Sequence, residues 1–380
     1  MENKKIGVAV IGCGMRSKYT VGNLLRDSGQ NVEVLSVYDP IDKVVDEALE
    51  QWKVDKSRCR KCSGSQEAIN TPGVEWVLVY SPNVFHRQHI LEAFAAGKHV
   101  FSEKPLASTL EACKEIYDAH AAGNLLFATG FVLRYSPIYR NIKSMLESGE
   151  FGKLLSIEAN ENITPAHGGY IMRNWRRKSE ISGPHILEKC CHDLDLILWF
   201  CNSLPSKVFF CGATNVFKPE NRYMEEKYGA DTFNNWGGHD QIETAFNDDS
   251  DMMDTSMGTA VFRNGVQVSF CATMCNALPE RRMRFNCAEG TIMVDLYTST
   301  ITYRKLGDDT AHTLKYYNDL HGGGDEYIMK DLYDTMKNGT PPKCSGNEGL
   351  ESAVFALALD QSAREGKLID LEPIWKSLNR

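Results

Sequence analysis

Three stretches of this chain hold residues whose types and spacing could do chemistry. Gly12-Cys13-Gly14 stands near the start, with Asp39 a further 27 residues beyond Gly12. Ser81-Pro82-Asn83 with His86, and then Glu103-Lys104-Pro105, make the second group. In the third, residues 187–195 crowd Glu188, Lys189, His192, Asp193 and Asp195 together. A glycine at position 12 permits a tight turn, and one at 14 lets the backbone approach a pyrophosphate lying on the amides of a helix N-terminus. Met15 and Arg16 open that helix and are expected cofactor contacts. An acid downstream can accept from ribose hydroxyls, and its charge repels the extra phosphate of NADP, so the first stretch reads as a site for NAD, with NADP disfavoured. Ser17 replaces the usual third glycine and is small enough to keep helix and strand close.

The second group follows strands at the edge where a cofactor binds, so Ser81, Asn83, His86, Glu103 and Lys104 are expected cofactor contacts, and Lys104 and the third group also suit proton transfer. Pro105 biases Lys104 toward an extended conformation. Partly desolvated there, the lysine could take or relay a proton. If residues 187–200 form one helix, Glu188 and His192 share a face and Asp195 lies three residues on. The imidazole would then sit between two carboxylates that hold its tautomer and raise its basicity. The combined expectation is oxidation of a hydroxyl. His192 takes the proton with help from Lys104, Glu188 and Asp195 orient and charge-balance the ring, and hydride passes to a nicotinamide beside Asn83 and His86. His167, Tyr170, Trp175, Arg176, Lys189, Asp195 and His321 are candidate substrate contacts. Polar, aromatic and glycine-rich stretches of this kind bond hydroxyls and stack on a sugar face.

The elements that must position these residues can be read from periodicity. Residues 6–11, 32–37, 74–80, 100–101 and 125–129 are short apolar runs. Helical patterns separate most of them, at 15–29, 40–51, 84–96 and 109–122, while 53–65 reads as loop. Strands alternating with helices imply parallel βαβ units up to about residue 130. The pattern then changes. A helix at 137–148 leads into alternating strands at 154–162, 207–216, 257–262, 266–274, 282–287, 291–295 and 300–303, with late helices at 325–337 and 349–365. The expected fold is α/β, with a Rossmann domain over 1–130 and an α/β domain over 131–380 built on a large, mostly antiparallel open sheet.

The bulk numbers exclude other classes. A net charge of −8 argues against nucleic acid or an anionic membrane as partner. No apolar run approaches the ~20 residues needed to span a bilayer, and no signal-like stretch precedes the first strand. Many of the 12 cysteines lie in apolar runs and read as reduced, buried thiols, so a cytoplasmic protein is expected. Cys59 and Cys62 form a single CxxC without a matching second pair, and no metal site is expected.

Taken together, the motifs resemble those of the glucose–fructose oxidoreductase / inositol dehydrogenase / MocA family. The carriers are Gly12-Cys13-Gly14, Asp39, Ser81-Pro82-Asn83 with His86, Ala96-Gly97-Lys98-His99-Val100 leading to Glu103-Lys104-Pro105, Arg134-Tyr135-Ser136-Pro137, and residues 188–195. The resemblance covers nearly the whole chain. It implies a Rossmann domain followed by an open-sheet domain that often forms the oligomer interface, so a homo-oligomer, dimer or tetramer, is expected. It also implies NAD(P)-dependent oxidation of a sugar or cyclitol hydroxyl. By resemblance Lys104 matches the family lysine and His192 the family histidine. Glu188 stands where many members have Asp, and Arg134 joins the substrate candidates. An NAD-dependent glycosidase, which oxidises its sugar transiently and recycles the cofactor, is the alternative chemistry. A non-catalytic NAD-binding regulator is a third possibility, opposed by the intact Lys104 and His192.

Overall fold

The computed structural model describes residues 5–234, 241–317 and 321–380. Its contacts divide the chain into two units, Met1–Tyr135 with Gly324–Leu350, and Ser136–Gly323 with Glu351–Arg380. Sequence reading places one boundary, at residue 130. By contacts the first unit runs on to Tyr135 and takes in a late segment as well.

The first unit is built on strands β1 (Ile6–Ile11), β2 (Val32–Tyr38), β3 (Arg60–Lys61), β4 (Val74–Val79), β5 (His99–Ser102) and β6 (Phe127–Thr129). They pair in parallel in the order β3-β2-β1-β4-β5-β6. Helices α1 (Met15–Asp27), α2 (Asp42–Gln51), α3 (Ser65–Ile69), α4 (His86–Ala95) and α5 (Leu110–Ala121) connect them. β1 and β4 are apolar almost throughout because both faces of a parallel sheet are covered. β3 is an exposed two-residue edge in a stretch whose polarity suggests loop. The strand order reverses between β1 and β4, and at such a point the loops leaving the carboxyl ends gather around a ligand. Those loops are residues 12–14, 81–83 and 103–105.

The second unit carries a nine-stranded sheet of β7 (Leu154–Asn162), β8 (Pro205–Ala213), β9 (Thr255–Phe262), β10 (Gln267–Thr273), β11 (Arg282–Cys287), β12 (Gly290–Asp295), β13 (Thr300–Lys305), β14 (His312–Lys315) and β15 (Ile369–Asp370). The order is β14-β13-β12-β11-β7-β10-β9-β8-β15. All neighbouring pairs are antiparallel except β7 with β10. β14 escapes sequence reading because all four of its residues are exposed and carry no alternation. Elsewhere the period of two is clear, as in β10, where Val268, Phe270 and Ala272 point inward.

Helices α6 (Pro137–Glu147), α7 (Pro165–Arg173), α8 (Ser179–Ser182), α9 (His185–Glu188), α10 (Cys191–Cys201), α11 (Tyr223–Tyr228), α12 (Gly324–Asn338), α13 (Gly346–Glu365) and α14 (Glu372–Ser377) complete the chain, and α12 belongs to the first unit. The single helix expected over 187–200 is broken. α9 stops at Glu188, and α10 begins at Cys191 with Cys190 as its N-cap. The side chains on either side of the break are bonded to different elements, as described below. α10 is buried on all sides except at Trp199, as befits a helix with no polar stripe, and it packs on β7. α7 is started by Thr164, whose hydroxyl accepts from the His167 amide at 3.2 Å. It is backed by an aromatic cluster in which Phe233 meets Phe217 and Phe246 edge-on. Among the described residues no helix is long and apolar enough to cross a membrane.

Candidate active site

In the first unit the glycine turn is wedged shut. Gly12 has φ +90°, and a Cβ there would lie 2.6 Å from the Tyr80 carbonyl carbon and 2.7 Å from the Ser81 nitrogen. Only glycine fits. Gly14 is the opposite case: its backbone is extended and nothing lies within 4 Å of where a side chain would go. It caps α1 without any side-chain bond, so the first amides of that helix face an open cradle suited to an anion. Ser17 is buried, and its hydroxyl donates to the Gly14 carbonyl at 2.9 Å. Asp39 accepts from the Cys13 amide at 2.9 Å through Oδ2 and from the Ile41 amide at 3.0 Å through Oδ1. A carboxylate has about four lone-pair sites, so capacity remains for ribose hydroxyls. Burial, together with Asp39, pushes the Cys13 thiol up and keeps it inert.

The other first-unit candidates are held by the protein itself. Arg16 donates through Nε to Glu103 at 2.6 Å and through Nη1 to Asp325, in the first turn of α12, at 2.5 Å. Although burial opposes it, these two carboxylates raise the Arg16 guanidinium further above its ordinary value. Met15 is exposed, whereas Asn83 is buried in the short turn Asn83–Phe85. His86 is buried, with Nδ1 2.8 Å from the Pro105 carbonyl and Nε2 2.9 Å from the Ser81 carbonyl. Lys104 is half-buried, its amide donates to Glu103 Oε2 at 3.2 Å, and the Lys104–Pro105 peptide is cis. Arg134, a candidate substrate contact, lies in this unit, 3.8 Å from Glu348.

In the second unit the candidates form linked groups. Arg176 donates through Nε to Glu188 at 2.9 Å and through Nη1 to the Tyr170 hydroxyl at 3.0 Å, with its guanidinium 4.2 Å over the Trp175 ring. Glu188 therefore has a bonded partner in Arg176, across the helix break from His192. Lys189 reaches Glu161 on β7 at 3.1 Å. Glu161 also lies 3.4 Å from Arg281, which forks onto Asp193 at 2.8 and 2.7 Å. Burial and the Glu161 carboxylate outweigh Arg281 and raise Asp193 to about 7. Burial opposes ionisation of Glu161 too, but Arg281 and Lys189 hold it below the carboxylate range. Burial and then Lys189 keep His167 well below its ordinary value, hence neutral. His192 is buried on α10 with its ring 6.1 Å from that of His321, and Asp195 is buried on the same helix.

A family model for the oxidoreductase family's NAD-binding Rossmann fold matches residues 6–131, and one for its C-terminal alpha/beta domain matches 143–371. The chain belongs to the Gfo/Idh/MocA oxidoreductase family. The uncharacterized oxidoreductase YrbE of Bacillus subtilis (strain 168) is 23% identical over 378 residues, 97% of either chain. An inositol 2-dehydrogenase of Pseudomonas fluorescens (strain SBW25) is 39% identical over 136 residues, 35% of this chain and 37% of that protein. A levoglucosan dehydrogenase solved with NADH and levoglucosan has the same fold, with a TM-score of 0.80 at 19% identity over 97% of this chain and 100% of that one.

Within this Gfo/Idh/MocA chain, sequence reading passes over Glu161, Arg281 and Asp325. A signal exists for two of them. Glu161 falls in the inward phase of β7 with Ile157 and Ala159, and Arg281 falls in phase with Met283 and Phe285 of β11. Two opposite charges on inward faces of one sheet need each other. Asp325 has no such signal, because its partner Arg16 is 309 residues away.

Two outcomes follow. Gly14→Ala should leave the unfolding midpoint unchanged and weaken NAD binding by about tenfold or more, since it fills only the cradle, whereas Gly12→Ala should lower both; calorimetry and NAD titration read the difference. The second concerns pH. Folded Asp193 keeps a proton to about 7 that an unfolded aspartate releases near 4, so its stabilisation is full below pH ~4 and drains away as pH rises to about 7. Glu161, lowered, contributes above pH ~4 and is lost only at the acid end. Between pH 5 and 8 the midpoint of the parent protein should therefore fall relative to that of Asp193→Asn; parallel curves would contradict the proton held by Asp193.

Proposed function

We propose that this family member is an NAD-dependent oxidoreductase acting on a hydroxyl of a sugar, sugar derivative or cyclitol. The observation that carries the reading is the open cradle at Gly14 above the uncapped start of α1, with Asp39 fixed beside it by the Cys13 amide. These residues fit a dinucleotide. The amides of residues 15–17 would hold its pyrophosphate, and Asp39 would accept from the ribose and repel a 2′-phosphate, which favours NAD over NADP. When bound, NAD supplies the hydride acceptor for the carbinol carbon. The relatives' names, inositol 2-dehydrogenase and levoglucosan dehydrogenase, support a polyhydroxylated substrate.

The chain's own residues manage the proton and the ligand. His192 is assigned as the base that takes the hydroxyl proton, with Lys104 assisting it; this pairing rests on family resemblance. His321 lies next to His192 in the second unit and is a candidate second donor to substrate hydroxyls. The Trp175–Arg176–Tyr170 stack offers an aromatic face with a charge neutralised by Glu188, a surface suited to a sugar ring and its hydroxyls. Glu188 in this reading acts through Arg176.

A panel of myo-inositol, levoglucosan, aldoses and aryl glycosides, assayed for NADH formation, tests the proposal. At least one polyol should reduce NAD, and His192→Ala and Lys104→Met should each lower kcat by about 10²–10⁴-fold. Unchanged kcat in both variants would remove the assigned roles. Release of nitrophenol from an aryl glycoside with no net NADH would replace the dehydrogenase with the glycosidase chemistry.

A further inference from the structure

We infer that His86 is a positioning residue for Lys104, and that it acts by joining two loops of the first unit through one imidazole. The ring opens α4, is buried, and has a carbonyl oxygen against each nitrogen: Pro105 at 2.8 Å from Nδ1 and Ser81 at 2.9 Å from Nε2. Ser81 leaves β4, and Pro105 follows Lys104 after β5, so one side chain links the residue after Lys104 to the neighbouring loop. His89, one turn along α4, adds a second hold, with Nδ1 2.9 Å from the Ser81 hydroxyl. On its other side Lys104 is fixed through Glu103, whose amide donates to the Val79 carbonyl at 3.0 Å and whose carboxylate accepts from the Lys104 amide.

Cofactor contact is the role that position alone suggests for His86, but its two ring nitrogens are already engaged. A neutral ring donates to one of the two carbonyls, and donation to both takes the imidazolium. Burial pushes the His86 pKa down, while the two carbonyls and the Glu103 carboxylate push it up and the Lys104 ammonium opposes them; His89 is the other titratable neighbour. Burial prevails and lowers the His86 pKa, and the neutral ring donates to one of the two oxygens while it packs against the other. Removing the ring would release the carbonyl of Pro105, the residue that follows Lys104, and misplacing a reacting group by about 1 Å can cost about 10²-fold in rate.

The inference rests on the proposed role of Lys104, and its test separates the two. The full-length protein is acetylated with acetic anhydride, and the labelling rate of each lysine is read by peptide mass. In His86→Phe, which keeps bulk and removes both ring nitrogens, labelling of Lys104 should rise roughly threefold or more, while Lys98 and Lys114 keep their rates. His86→Gln, which keeps a donor, should fall between and serves if the phenylalanine variant does not fold. In turnover with the best polyol of the panel, His86→Phe should lower kcat by about 10²-fold with KM for NAD unchanged. It should cause no further loss in a Lys104→Met background. An unchanged Lys104 labelling rate, a rise shared by all lysines, or a kcat loss that repeats in full in the Lys104→Met background would overturn the positioning role. Full kcat in Lys104→Met alone would instead sink the catalytic reading of that lysine, and the labelling result would still decide whether His86 holds it.

Discussion

The contact on which the first unit's site depends is the packing of Gly12 against the Tyr80–Ser81 peptide, where no side chain can enter. It joins the turn after β1 to the loop after β4. From there the contacts close into a ring. The His86 ring lies between the Ser81 and Pro105 carbonyls, and Glu103 is bonded to Arg16, which returns the chain to the first turn of α1 beside Gly14. Each member is a short-range hydrogen bond or ion pair, and together they fix three loops that would otherwise move separately. Within the ring the Arg16 guanidinium sits between two carboxylates, Glu103 and Asp325. The open position at Gly14 is thus surrounded by fixed backbone, the condition for binding without large reorganisation.

The second unit solves a different problem, the burial of charge. Glu161, Asp193 and Arg281 are each less than a tenth exposed, and Lys189 joins them. Breaking one partner out of such a group costs about 3–5 kcal/mol, so the set must be kept whole. Two carboxylates stand against two cations beside α10, and the charges balance once Asp193 gives up its proton near pH 7. His192 directly precedes Asp193 in the chain, so the fork that holds Asp193 also holds the N-terminal turn of the helix carrying His192. The break between α9 and α10 serves the same end. Across it Glu188 pairs with Arg176 and Lys189 with Glu161.

Much of this was legible in the sequence, for identifiable reasons. β1, β2 and β4 show as uncharged or alternating apolar runs, and the loops at their ends follow once the strands are placed. The glycine turn and Asp39 are local features separated by one helix, so spacing alone brings them together. The long strands of the second unit show through their period of two. What was hidden depends on tertiary partners. Arg16 and His86 are surface-like in sequence, and only the fold shows that one meets Asp325 and the other bridges two carbonyls. Spacing reads residues 187–200 as one helix and cannot report the break after Glu188, which Arg176 and Glu161 accompany from other elements. The inward phase of Glu161 and Arg281 was visible in principle, as a charge where the alternation demands an apolar residue.

The proposed chemistry rests on the claim that this unit holds NAD. Titration of the purified full-length chain with NAD and with NADP, followed by calorimetry, tests it most directly. One NAD per chain should bind, and NADP should bind about tenfold or more weakly because Asp39 opposes its extra phosphate. Absence of binding to either dinucleotide, or tighter binding of NADP, would contradict it.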